Sequence, residues 1–209
     1  LQQGVEVFLE KNIPVAAGLG GGSSNAACTL LALNRIYRLG LQLDELIAMG
    51  KELGADVPFF LLNASQAVGT GRGDNLTPVK FSTKLSLFLT FLPDGVSTKE
   101  VYQRYCNLQN HPSLTKVSCD TIMLSAFLAS KDMRQIALFL RNDLLEVARQ
   151  IKPAIARVLS FLRTFWPASA MSGSGPTLFT LTRSVKEAKF QARKVSRKLG
   201  LKTWTCVAC

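Results

Sequence analysis

Pro14-Val-Ala-Ala-Gly18-Leu-Gly20-Gly21-Gly22-Ser23-Ser24-Asn25-Ala-Ala27 is the stretch on which the reading of this chain turns. Its four glycines stand ahead of the helix-forming run Ala26–Leu33, so a backbone without Cβ atoms enters a helix N-terminus whose first N–H groups lack intrahelical partners. Ser23, Ser24 and Asn25 add short polar side chains at that start. Unpaired N–H groups, the positive end of a helix dipole and two hydroxyls on one loop predict a site for a polyphosphate. A flexible Gly/Ser linker would not run straight into Ala-Ala-Cys-Thr-Leu-Leu-Ala-Leu. The Gly-x-x-x-x-Gly-Lys-Ser/Thr loop does not occur, and the glycine spacing does not fit the dinucleotide Gly-x-Gly-x-x-Gly pattern.

Working outward, composition sets the limits. The chain has 209 residues, 47% hydrophobic and 19% charged, enough to bury a real core in one large or two small domains. A net charge of +11 favours acidic partners such as nucleotides, phosphorylated metabolites or nucleic acid. Much of that charge lies between Arg183 and Lys202, interleaved with Val185, Ala188, Val195 and Leu199 on one helical face, so it reads as the solvated side of a helix. The five cysteines form no disulfide framework, and Cys206-Val-Ala-Cys209 spans opposite faces of the strand expected after Trp204. No apolar run is long enough to span a membrane. The sole histidine, His111, sits in a turn-like stretch with no partner for a metal site or a triad.

Upstream of the loop, a turn at Gly4 and a strand Val5–Leu9 are expected. The first residue is not methionine, and Leu1–Asn12 reads as the middle of a domain, so the chain is expected to start late. Downstream, Leu43–Leu53 reads as a helix with Leu46, Ile47, Met49 and Leu53 inward and Gly54 as its stop. Gly54-Ala-Asp56-Val-Pro-Phe-Phe-Leu61 then fixes one carboxylate between a helix end and an apolar segment. Read alone, Asp56 is a solvated turn residue. Gly69-Thr-Gly-Arg72-Gly-Asp-Asn-Leu-Thr-Pro78 reads as strand, glycine turn and strand, with Arg72 a possible phosphate contact. A new strand, Leu85–Leu92, leads through Pro93-Asp-Gly-Val-Ser97-Thr98 into a helix capped by Ser97 or Thr98. Helices are expected at Ile122–Ala129 and Met133–Leu140. Ser172-Gly173-Ser174-Gly175 reads as a turn before the strand Leu178–Leu181.

The glycine-rich stretch resembles the ATP loop of the GHMP small-molecule kinases. Its Gly-Leu-Gly-Gly-Gly-Ser-Ser-Asn-Ala-Ala wording, with Gly-Ala-Asp-Val-Pro-Phe-Phe, is most similar to the group that phosphorylates 4-diphosphocytidyl-2-C-methyl-D-erythritol in non-mevalonate isoprenoid synthesis. Asn142-Asp-Leu144, here read as tying helices together, resembles a further segment of that group, and Ala170–Thr177 resembles the third GHMP motif. The resemblance implies a two-lobed α+β fold: residues 1–78 as the rest of an incomplete ribosomal-protein-S5-like N-terminal lobe, and residues 79–209 as a ferredoxin-like C-terminal lobe.

It also implies ATP and Mg2+ as cofactors, with Pro14, Val15, Ala16, Ala17, Gly18, Leu19, Gly20, Gly21, Gly22, Ser23 and Ser24 around the nucleotide. Asp56 would be the catalytic carboxylate facing the acceptor hydroxyl, with Thr98, Tyr102 and Gly173 on the substrate. Ser23 and Ser24 are the nearest hydroxyls to a metal, and no dedicated protein metal site is expected. Kinases of this kind begin with a segment carrying a catalytic lysine and cytosine-gripping side chains, which no residue here supplies; the chain as given is expected to be inactive without it. The expected partners are a small-molecule substrate and ATP, without nucleic acid or membrane, in a monomer or weak homodimer of the bacterial cytoplasm or plastid stroma. The alternatives are a homoserine- or mevalonate-type GHMP kinase, or an S5-like RNA-binding protein.

Overall fold

The computed structural model describes residues 4–79, 84–109 and 121–208. His111, Cys119 and Cys209 lie outside them. Three helices come first: α1 (Gly21–Ile36), α2 (Leu43–Leu53) and the short α3 (Val57–Leu61). They enclose a small core of Ala27, Leu46, Val57 and Leu61. Helix α2 starts with a reciprocal cap, in which the Gln42 N–H donates to Glu45 and the Gln42 side chain accepts from the Glu45 backbone, and it stops at Gly54. Leu46 and Gly50 are its buried residues; Met49 and Leu53, expected inward, are exposed. Eleven residues present one narrow apolar stripe, and α3 packs on the Leu46–Gly50 side of it, where a Cβ on Gly50 would stand 2.9 Å from Leu61 Cδ1. A two-stranded antiparallel hairpin, β1 (Ala67–Thr70) and β2 (Asn75–Pro78), follows with the glycine turn between its strands.

The expected strand at Val5–Leu9 is not formed. Among the described residues no strand pairs with this segment, and Val5, Val7, Phe8 and Leu9 are all exposed. Alternating apolar residues make a strand only where a neighbour takes up the backbone hydrogen bonds.

The second part is built on β3 (Leu85–Phe91), β4 (Ser169–Met171), β5 (Leu178–Thr182) and β6 (Lys202–Ala208), an antiparallel sheet in the order β4-β5-β3-β6. First and last strands lie side by side, with Phe88 opposite Thr205 and Thr180, the arrangement of a ferredoxin-like sheet. Among the described residues, five helices come between β3 and β4: α4 (Thr98–Gln109), α5 (Thr121–Ser130), α6 (Met133–Phe139), α7 (Leu145–Ile151) and α8 (Pro153–Phe165). Helix α9 (Val185–Leu199) links β5 to β6.

Strand periodicity sends side chains alternately to the two faces. Phe88 and Leu178 join Val147, Ile155, Leu162 and Val195 from α7, α8 and α9 in the main core, while Leu87, Phe179 and Leu181 meet Ile136 and Phe127 of α5 and α6. The Ser184 hydroxyl caps α9 by accepting from the Glu187 N–H. Ala188, Ala192 and Val195 form its inner stripe, and Lys194 and Lys198 lay their ammonium groups over the rings of Phe161 and Phe165. The solvated face read from the sequence is therefore partly an aromatic–cation seam between α8 and α9.

Candidate active site

The phosphate-type loop is shaped by left-handed backbone at Ala16, Gly18 and Gly20, and α1 begins directly after it. The helix starts earlier than the polar residues suggested, since Gly21 and Gly22 already belong to its first turn. Its first intrahelical bond runs from the Ser24 N–H to the Gly20 carbonyl. The N–H groups of Gly21, Gly22 and Ser23 precede that bond and have no acceptor within the helix. Ser24 lies four residues past the cap position at Gly20, too deep to cap, and its hydroxyl donates to the Gly21 carbonyl instead.

A cleft of about 440 Å3 opens in front of this loop. Lys11, residues 14–23, Asp56, Thr98, Tyr102, Gly173 and Ser174 line it. Of the residues that the resemblance implied at the site, only Ser24 stays out of the wall. Asp56 precedes α3 at its N-terminal end and is exposed to the cleft. Tyr102 faces the same space one helical turn after Thr98. Burial first, and then the negative charge of Asp56 and the neighbouring Tyr105, push the Tyr102 phenol above its ordinary value.

Two segments distant in sequence hold the loop from behind through three hydrogen bonds. The Val96 N–H donates to the Ala16 carbonyl at 3.3 Å, and the Thr177 N–H to the Ala17 carbonyl at 3.4 Å. The Ser172 hydroxyl donates to the Gly18 carbonyl at 2.8 Å. Gly95 sits so close to Ala16 that an added Cβ would lie 2.7 Å from the Ala16 Cβ. At Gly18, φ is +71° and a Cβ would meet the Ser172 carbonyl oxygen at 2.4 Å and the Gly175 nitrogen at 2.8 Å. Only glycine fits there.

Sequence reasoning did not single out Lys11, Ser172 or Ser174. The Lys11 ammonium stands 3.2 Å from where a Cβ on Gly21 would be, beside the unpaired N–H groups of α1. A lone lysine two residues before Ile13-Pro14 carries no signal of its own, although its closeness to the loop was a usable one. Ser174 shares a 2.9 Å hydrogen bond with Thr98 and is buried, so Thr98 anchors the turn at 173–175 as well as lining the cleft. Arg72 is not in the wall. It pairs with Asp74 at 2.8 Å, a hydrogen bond that holds the Asp74 carboxyl below the usual range. Ser97, rather than Thr98, caps α4 by accepting from the Glu100 N–H.

Asp56 and the Ser23 hydroxyl are the anionic and neutral oxygen donors of the cleft wall beside the loop. Among the described residues no group of three or more His, Cys, Asp or Glu side chains could hold a metal. This donor set suits a hard cation carried mainly by substrate phosphates, rather than a protein cage.

Comparison with known proteins identifies the family. The model of the GHMP kinases N terminal domain matches residues 1–64, and that of the GHMP kinases C terminal matches residues 123–201. A 4-diphosphocytidyl-2-C-methyl-D-erythritol kinase of Syntrophus aciditrophicus is 41% identical over 202 residues, covering 96% of this chain and 68% of its own. The chain belongs to the GHMP kinase family. A kinase of the same description from Nocardia farcinica is 40% identical over 185 residues, 88% of this chain and 60% of its own length. This member thus spans about three fifths of that relative. The crystal structure of a 4-(cytidine 5'-diphospho)-2C-methyl-D-erythritol kinase superposes with a TM-score of 0.78 at 30% identity, over 95% of this chain and 68% of the other. Among the described residues no helix is long and apolar enough to cross a membrane.

Two outcomes follow from the geometry. Gly18→Ala combines a left-handed alanine with a backbone collision and lowers stability by more than about 2 kcal/mol, whereas Gly40→Ala, at φ +70° with open space around it, costs only about 1–2 kcal/mol; denaturant unfolding compares them. Asp56→Asn removes a negative charge facing Tyr102, so the phenol titrates at lower pH than in the unaltered protein, as read from ultraviolet difference titration against Tyr102→Phe.

Proposed function

We propose that the protein transfers the γ-phosphoryl group of ATP to the 2-hydroxyl of 4-diphosphocytidyl-2-C-methyl-D-erythritol. One observation carries this: a single cleft brings together an N–H-lined glycine loop, a cation and a carboxylate on the acceptor side. The phosphates lie along residues 14–23, with the N–H groups of Gly21, Gly22 and Ser23 and the Lys11 ammonium neutralising their charge. Phosphoryl transfer to an alcohol proceeds through a loose transition state and needs the hydroxyl in line with the γ-phosphorus. Asp56 orients that hydroxyl and accepts its proton as the P–O bond forms. Mg2+ on the ATP phosphates would supply further charge neutralisation, with the Ser23 hydroxyl the nearest neutral ligand in the wall.

Thr98 and Gly173 contact the acceptor, and Tyr102 offers its ring to the cytosine. Residues 1–78 form the nucleotide lobe and 79–209 the acceptor lobe. The compartment this reading predicts is a bacterial cytoplasm or a plastid stroma, with a monomer or weak homodimer as the working species. Relatives at 36–41% identity described as kinases of this one substrate favour it over homoserine or mevalonate as acceptor.

The test is ATP turnover by the natively expressed, full-length protein offered the diphosphocytidyl substrate, homoserine and mevalonate in parallel. Turnover is expected with the first alone, reduced about 100- to 10,000-fold by Asp56→Asn. Lys11→Ala is expected to weaken ATP binding about 10- to 100-fold, the loss of one charge-assisted contact. Turnover of homoserine or mevalonate, or none with any alcohol by a folded protein, would overturn the reading.

A further inference from the structure

Asn142 has no place in the chemistry described so far, yet its carboxamide uses both N–H donors on one turn. One bond goes to the Met171 carbonyl at 2.9 Å and the other to the Gly173 carbonyl at 2.8 Å. Its Oδ1 accepts the Leu144 N–H at 2.9 Å, and its own carbonyl accepts the Leu145 N–H at 3.0 Å. The side chain therefore ties the start of α7, whose flanking Leu144 is buried in the main core, to a turn 29–31 residues away.

The turn is the element that meets the phosphate loop. It is closed internally by the Gly175 N–H donating to the Ser172 carbonyl and by the Ser172 N–H donating to the Thr177 carbonyl, both at 2.9 Å. On its outer side, a Cβ on Gly173 would lie 3.0 Å from the Gly18 carbonyl oxygen, the same oxygen that accepts the Ser172 hydroxyl. Two hydrogen bonds thus separate the rigid start of α7 from Gly18. Gly173 and Ser174 themselves form cleft wall on the side of Thr98 and Tyr102.

We propose that Asn142 is a positioning residue: its amide clamps the Met171–Gly173 turn to helix α7 and so sets where the phosphate loop and the acceptor wall stand relative to each other. A displacement near 1 Å in such a site costs about 100-fold in rate, so a clamp of this kind acts on kcat more than on binding. The catalytic consequence rests on the kinase reading above; the clamp itself does not.

Asn142→Asp isolates the clamp. A carboxylate keeps an oxygen to accept the Leu144 N–H but has no donor for the two carbonyls. In the natively expressed, full-length protein, kcat for the diphosphocytidyl substrate is expected to fall about 10- to 100-fold, with KM for ATP changed less than about threefold. Amide exchange at Gly175 and Thr177 should accelerate while that of Leu144 and Ala148 stays as before. Adding Ser172→Ala should cost little more, because both substitutions cut the same chain of bonds.

Unchanged exchange at Gly175 and Thr177 would overturn the proposal, as would acceleration spread equally along α7 or an unchanged kcat. If the unaltered protein phosphorylates none of the alcohols, the kinase reading fails while the exchange measurement still decides the clamp. Should Asn142→Asp not fold, Ser172→Ala alone severs the second bond, and the same local exchange pattern is required of it.

Discussion

The architecture of the site depends on one close approach, that of the Gly18 backbone to the turn Ser172–Gly175. The two segments are more than 150 residues apart, yet there is no room between them for a single methyl group. That contact lets a loop from the first lobe and a turn from the second share one cleft wall. Thr98, Tyr102, Gly173 and Ser174, the cleft residues of the second lobe, come from elements whose position relative to the loop is set, directly or through the Thr98–Ser174 hydrogen bond, by this junction.

Charge is distributed across the junction in a way that suits phosphoryl transfer. The helix start and Lys11 put positive potential on one side, and Asp56 stands on the other with no cation drawn into an ion pair with it among the described residues. A carboxylate already neutralised by a salt bridge would make a poor proton acceptor. Asp56 owes its place to local chain geometry: Gly54 ends α2, Pro58 stands in the first turn of α3, and Asp56, in the short link between them, is exposed. The apolar residues that follow, Val57, Pro58 and Leu61, are buried and hold that corner in place.

Much of this was legible in the residues. From Leu85 onward, the strands β3, β5 and β6 and the helices α4, α5, α6 and α9 could be read from caps and periodicity, because each pairs or packs with another element that the chain supplies, whereas α7, α8 and β4 were not singled out. The glycine loop could be read because its chemistry is local: glycines, then hydroxyls, then a helix. What failed was non-local. Val5–Leu9 has the alternation of a strand but no neighbour among the described residues to make it one. Met49 and Leu53 have the right spacing for an inner face, yet a short helix covered from one direction leaves them outside. Ser172 escaped notice because its partner, Gly18, is distant in the chain, and Lys11 because a lone lysine belongs to no motif. For Asn142 the expected role of joining helices was near the mark in one half only: it does brace α7, but its amide reaches a glycine turn.

The three bonds that hold the loop from behind have a further consequence. All take carbonyl oxygens, of Ala16, Ala17 and Gly18 in succession, and each donor comes from the second lobe. Three peptide groups therefore have their negative ends engaged away from the ligand before any ligand arrives. Polar solvent around a free loop would have to reorient to receive a polyanion; here the orientation is built in during folding, so little reorganisation remains for the binding or transfer step. On the function proposed above, the loop's selectivity for negative charge would be a property of the joint between lobes, and a change that loosens the joint would weaken that selectivity without touching a single group that faces the anion.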